Sequence, residues 1–131
     1  MSVVRIEHVY KDYQLGDQTV QALHDITWSI DAGVFLAISG PSGSGKTTLL
    51  NLIGCIDKPT SGKIFINEED VSEKSANELA DIRARSIGFI FQTFNLLPVL
   101  SAAENVEYPL LRRPDISAEE RKKRVDYFLD I

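Results

Sequence analysis

Apolar and polar positions first alternate along this chain, then merge into runs, then spread to a helical spacing. From Arg5 to Tyr13 the mixed alternation reads as a strand, and Leu15-Gly16-Asp17 reads as a turn. Ile26, Trp28 and Ile30 alternate with Thr27 and Ser29, which predicts a half-buried strand with Trp28 in the core. Val34 to Ile38 is a continuous apolar run, as expected of a strand covered on both faces. The spacing then lengthens: Leu49, Leu50, Leu52 and Ile53 predict a helix from Thr47 to Ile53. Asp57-Lys58-Pro59-Thr60-Ser61-Gly62 is a turn cluster, followed by a short strand from Lys63 to Asn67.

Three Ser-x-x-Glu pairs mark helix starts: Ser75 with Glu78, Ser101 with Glu104, and Ser117 with Glu120. In each, the hydroxyl can accept from the amide three residues on while the carboxylate reaches back to the serine amide. The first of these helices runs to about Arg85, and Ile87 to Phe91 follows as a second buried strand that tolerates Gly88. The last helix sets Val125, Phe128 and Leu129 on one face. Arg121-Lys122-Lys123-Arg124 reads as its solvated side. That helix runs into Asp130-Ile131 without a glycine, a proline or a basic last turn. The expectation is a chain that stops within a larger unit.

Composition narrows the function classes. A length of 131 residues with 44% apolar positions suits one modest globular domain. The formal charge of −5 argues against a nucleic-acid partner, which would call for a basic face. Cys55 is the single cysteine, so no disulfide forms within the chain, and its apolar neighbours favour a small buried side chain over a reactive thiol. His8 and His24 stand apart from each other and from other ligand types, so no metal site is expected of them. The N-terminus lacks the apolar run of a signal peptide, and no stretch reaches the ~20 apolar residues of a membrane span. The expectation is a cytoplasmic protein that meets a membrane only through a partner.

One motif carries chemistry by itself. Gly40-Pro41-Ser42-Gly43-Ser44-Gly45-Lys46-Thr47, with Thr48 behind it, fits G-x-x-x-x-G-K-[ST] between an expected strand and an expected helix. The glycines let the backbone turn and approach an anion closely. Successive N–H groups form a cradle for phosphate oxygens, and the following helix points its positive end at the same place. Lys46 is expected to reach the β and γ phosphates, and the Thr47 hydroxyl to ligate Mg²⁺. A glycine-rich turn without a ligand is the plainer alternative. No Asn-Lys-x-Asp guanine reader is present, and Arg83 and Arg85 are too thin a basis for a kinase lid.

Beyond the loop, three stretches resemble one family. These are Ile87-Gly88-Phe89-Ile90-Phe91-Gln92-Thr93-Phe94-Asn95-Leu96-Leu97-Pro98, the segment Leu49 to Gly62, and Glu104-Asn105-Val106-Glu107-Tyr108-Pro109-Leu110-Leu111. They are similar to the ATP-binding subunits of ABC transporters, in the subgroup of macrolide-exporter, lipoprotein-release and cell-division ATPases. The resemblance covers essentially the whole chain. It implies an α/β fold: an incomplete P-loop NTPase core with an N-terminal antiparallel β subdomain and the start of an α-helical subdomain. Residues 1–92 would form the β subdomain and core, and 93–131 the Q-loop and first helical part.

The resemblance also implies roles. Tyr13 falls where an aromatic ring stacks on adenine, against the alternative of a strand-end tyrosine packing at a surface. Gln92 would contact Mg²⁺ and the attacking water, against the alternative of a polar residue that merely ends a strand. Phe94 to Pro98 would lie where a transmembrane permease subunit docks, and a second ATPase subunit would pair across the ATP. Asp31-Ala32-Gly33-Val34 departs from the usual acidic-Gly-Glu, and Thr47 replaces the commoner serine while keeping the hydroxyl.

The family's LSGGQ-like signature, its Walker B strand with catalytic glutamate, and its switch histidine do not occur in these residues. Ile64-Phe65-Ile66-Asn67-Glu68-Glu69-Asp70 imitates Walker B superficially, yet it is short and follows a turn, which favours a solvated turn in the antiparallel subdomain. Three functions compete: the nucleotide-gripping part of a transporter ATPase, a truncated module that binds ATP or a partner without turnover, and another P-loop enzyme. The first is favoured. Weak ATP binding, negligible turnover and self-association through unpaired strand edges are expected of the chain alone.

Overall fold

The computed structural model describes residues 1–131, which fall into two compact units, Met1–Leu79 and Ala80–Ile131. In the first unit, β1 (Ser2–Leu15) turns at Gly16 and returns as β2 (Gln18–Asp31), antiparallel, with Ile6 opposite Trp28 and Tyr13 opposite Val20. The register slips at several points along this pair. At one of them His8 and Asp25 both take left-handed backbone, and His8 Nδ1 lies 2.8 Å from Asp25 Oδ1. Such bulges bend the ladder and strengthen its twist.

The helix α1 (Lys46–Ile53) lies against β2 and β3 (Ser61–Ile66), and β3 pairs antiparallel with the free side of β1. The short strand β4 (Glu69–Asp70) closes the sheet in the order β2-β1-β3-β4. Gly62 is required where β3 begins: its φ is +88°, and a Cβ there would sit 2.3 Å from the His8 carbonyl oxygen. The Walker B look-alike is therefore a hairpin arm of an antiparallel sheet. Asn67 and Glu68 supply its turn, both at positive φ.

The core of this unit is built from alternate positions. Val4, Ile6 and Val9 from β1 and Ile64 and Ile66 from β3 are buried, with Leu52 and Cys55 from the α1 side. Each large aliphatic side chain so buried contributes roughly 1.5–3 kcal/mol. Trp28 is half-buried, so it caps this core more than it fills it.

The helix α2 (Ala76–Ser86) spans the division between the units. Within the second unit follow α3 (Ala102–Glu107), a 3₁₀ turn (Tyr108–Arg112) and α4 (Ala118–Leu129), with α3 packed on α4. Ile82, Ile116 and Val125 are its buried apolar residues. Phe128 and Leu129 are exposed despite sharing the expected face of α4. The basic run of α4 is solvated and paired at one-turn spacing, Lys122 with Asp126, Lys123 with Glu119 and Arg124 with Glu120.

Two expected strands do not form. Val34 to Ile38 and Ile87 to Phe91 carry no regular secondary structure, and Phe35 and Ile90 are fully exposed at 98% and 103%. A run that is apolar on both faces needs a hydrogen-bonding neighbour on each side, and no other segment of this chain is paired with either. The segment leading into the glycine-rich loop is accordingly exposed, where the sequence pattern predicts a buried strand.

Candidate functional site

The loop of residues 40–48 is positioned by what flanks it. Ser44 donates its amide to the Pro41 carbonyl at 3.3 Å, which closes a turn. Gly45 caps α1 from the left-handed region, at φ +85°, and its carbonyl accepts from the Leu49 amide at 2.9 Å. No other residue fits there without displacement: a Cβ would stand 2.6 Å from the Ala22 carbonyl oxygen and 2.9 Å from Leu23 Cδ2. The loop thus lies tight on β2, and Val20, Gln21 and Ala22 wall one side of its recess.

That recess, about 290 Å³, is lined on its other side by Ser42 through Thr48. Its lining holds one cation, Lys46, and no carboxylate. The Lys46 ammonium donates to the Gly40 and Pro41 carbonyls, each at 2.7 Å, and to Ser44 Oγ at 3.3 Å. The charge is thereby folded onto the loop's own oxygens. The first-turn N–H groups of α1 have no carbonyl behind them within the helix, and Thr47 is exposed. Loop amides, a helix N-terminus and a lone ammonium without a competing anion fit a polyphosphate. The exposed Thr47 hydroxyl is an oxygen donor of the kind Mg²⁺ takes.

Tyr13 is half-buried on β1, directly across the ladder from Val20 of the recess. Its hydroxyl donates to Asp57 Oδ2 at 3.0 Å. The first unit therefore brings Tyr13 beside the wall of the loop. Gln92 belongs to the second unit, exposed, in a segment without regular structure. Phe94 to Pro98 is exposed in the same unit, Phe94 at 93%. Asn105 of α3 holds the end of that segment: its Oδ1 accepts from the Leu97 amide at 2.8 Å and its Nδ2 donates to the Leu97 carbonyl at 3.1 Å.

Three features of the site carry no signal of their role in the sequence. The β2 residues Val20 to Ala22 wall the recess, which only the strand register reveals. Asn105 is an unremarkable helical asparagine in sequence, yet its side chain also caps the Leu100 and Ser101 carbonyls. Asp57, read as part of a turn cluster, anchors Tyr13.

Comparison with known proteins bears on the family and the fold. The family model for the ABC transporter matches residues 23–130. The macrolide export ATP-binding/permease protein MacB of Brucella abortus is 48% identical over 121 residues, 92% of this chain and 19% of that protein. The uncharacterized ABC transporter ATP-binding protein MJ0796 of Methanocaldococcus jannaschii is 46% identical over 124 residues, 93% of this chain and 53% of that protein. A solved dimeric structure of the MJ0796 ATP-binding cassette in a post-hydrolysis state, bound to ADP and Pi, superposes with a TM-score of 0.85 at 46% identity, covering 97% of this chain and 56% of that one. The chain spans about half the length of that cassette and a smaller part of the exporter.

Proposed function

The chain belongs to the ABC transporter family, and from that membership we propose that its loop grips ATP with Mg²⁺ on behalf of a transporter ATPase. Members of the family bind ATP, and their common activity is ATP hydrolysis. In this reading Gly40 through Thr48 cradle the phosphates and Tyr13 carries the adenine. The Thr47 hydroxyl and the Gln92 amide oxygen would hold Mg²⁺, and Gln92 would also orient water. Bound Mg²⁺ would neutralise phosphate charge.

The observation that carries the proposal is the Lys46 ammonium, held on two loop carbonyls in a recess without a carboxylate. Phosphate oxygens bear full charge where those carbonyls bear only partial charge. A charge-assisted bond is about twice as strong as a neutral one. The ammonium would therefore exchange carbonyls for phosphate without any anion in the recess to repel the newcomer.

The same recess argues for binding without turnover by these 131 residues. Beyond Gln92, hydrolysis needs a carboxylate to act as base or to position the water, and a full set of metal ligands. No carboxylate lines the recess to supply either. In a longer protein of the family, a second ATPase subunit would complete the site. A permease subunit would dock at Phe94 to Pro98 on the cytoplasmic face of a membrane. No helix of this chain is long and apolar enough to cross one.

Rapid mixing with radiolabelled ATP tests the proposal. Retained nucleotide without a burst of phosphate is the expected result. A clear burst that disappears with Lys46→Ala would contradict binding without turnover, and absence of retained nucleotide would contradict the grip itself.

A further inference from the structure

Three side chains meet beyond the C-terminal end of α1. Lys11 Nζ lies 2.8 Å from Asp57 Oδ1 and donates to the Lys58 carbonyl at 2.7 Å. The Tyr13 hydroxyl takes the other carboxylate oxygen, Oδ2, at 3.0 Å. The Lys11 ammonium also stands 4.9 Å from the centroid of the Tyr13 ring. Its side chain is only 12% exposed, so this is not a solvated surface pair. Burial pushes the Asp57 carboxyl up, but hydrogen bonds from Lys11, the Lys58 amide and Tyr13 outweigh it and hold the group below its ordinary range. Both oxygens therefore act as acceptors at neutral pH.

Asp57 is also fixed to the helix it follows. The amides of Gly54, Ile56 and Asp57 donate to the carbonyls of Leu50, Asn51 and Asn51, and Cys55 turns the chain at φ +55°. The carboxylate is thus tied to one end of α1, and the glycine-rich loop stands at the other. Tyr13 sits on β1, across from the recess wall.

We propose that Asp57, supported by Lys11, is a positioning residue that sets the Tyr13 ring for the nucleobase relative to the phosphate loop. The inference rests on the reading of Tyr13 as the base platform. An unanchored ring would populate several rotamers, and ordering it would cost affinity each time nucleotide binds. Anchoring through the hydroxyl removes that cost in advance.

Calorimetry on the 131-residue chain with Mg·ATP and with Mg·tripolyphosphate separates base from phosphate binding. Tyr13→Ala should weaken ATP about tenfold and leave tripolyphosphate unchanged. Tyr13→Phe and Asp57→Ala should each weaken ATP about fivefold and spare tripolyphosphate, and the double variant should be no worse than either single one. Unchanged tripolyphosphate binding also reports that the variants fold. If Tyr13→Ala lowers ATP affinity but Asp57→Ala does not, or if Asp57→Ala weakens both ligands equally, the positioning role is overturned and the base platform stands. If Tyr13→Ala leaves ATP unaffected, the base platform falls and the role of Asp57 with it.

Discussion

Ser101 and Glu104 hold the six-residue helix α3 by exchanging bonds. The Glu104 amide donates to Ser101 Oγ at 3.3 Å, and the Ser101 amide donates to Glu104 Oε2 at 2.7 Å. A helix this short does not persist in water on propensity alone, so its cap matters. The amide and then the hydroxyl of Ser101 hold the Glu104 carboxyl below its ordinary range. A carboxyl depressed in the folded state stabilises above its unfolded value, about 4.3, and that contribution fades as pH falls through the lowered value. Protection of the α3 amides, relative to their intrinsic exchange at the same pH, should therefore fall below about pH 4, and Ser101→Ala should lower it about fivefold at neutral pH. Protection indifferent to both changes would refute the cap's role. The two Ser-x-x-Glu pairs at Ser75 and Ser101 were legible because the box depends only on spacing. The pair at Ser117 is half a box: Ser117 accepts from the Glu120 amide, but the Glu120 carboxylate accepts from Arg124 at 2.8 Å. Which partner a carboxylate takes depends on the basic residue one turn on, and spacing at the start of a helix does not contain it.

Elements divide by how far their stability is local. The turn at Gly16, the helix α1 and the hairpin at Asn67 and Glu68 are all readable from neighbouring residues. The first part of β2 is not legible locally, because Gln18 to Gln21 lack an apolar pattern and are held by pairing with β1. Val34 to Ile38 and Ile87 to Phe91 are the opposite case. Their pattern states a burial that only neighbours can provide, and within these 131 residues they stand exposed. Contiguous apolar surface with unpaired backbone invites association. We expect the chain to self-associate through these runs. Static light scattering should show mass rising with concentration, and Phe35→Lys with Ile90→Lys should suppress it. A constant monomer mass across concentrations would contradict this.

For the molecule as a whole, each unit carries its own part of the expected site. The first holds the loop, Lys46, Thr47 and Tyr13 on one sheet and one helix. The second holds Gln92 and the segment Phe94 to Pro98, pinned by Asn105. The loop was legible because its glycines, lysine and threonine are each demanded by phosphate chemistry at fixed spacing. The walls of its recess were not, since Val20 to Ala22 reach it only through the fold of β2. Binding of the ATP phosphates in this recess can be read residue by residue from ¹⁵N amide shifts during titration with Mg·ATP. The shifts should centre on residues 40–48 and Tyr13. Lys46→Ala should lower affinity by roughly tenfold or more, as expected for a lost bond to a charged group. Shifts that avoid the loop, or equal affinity in Lys46→Ala, would rule out phosphate binding in this recess.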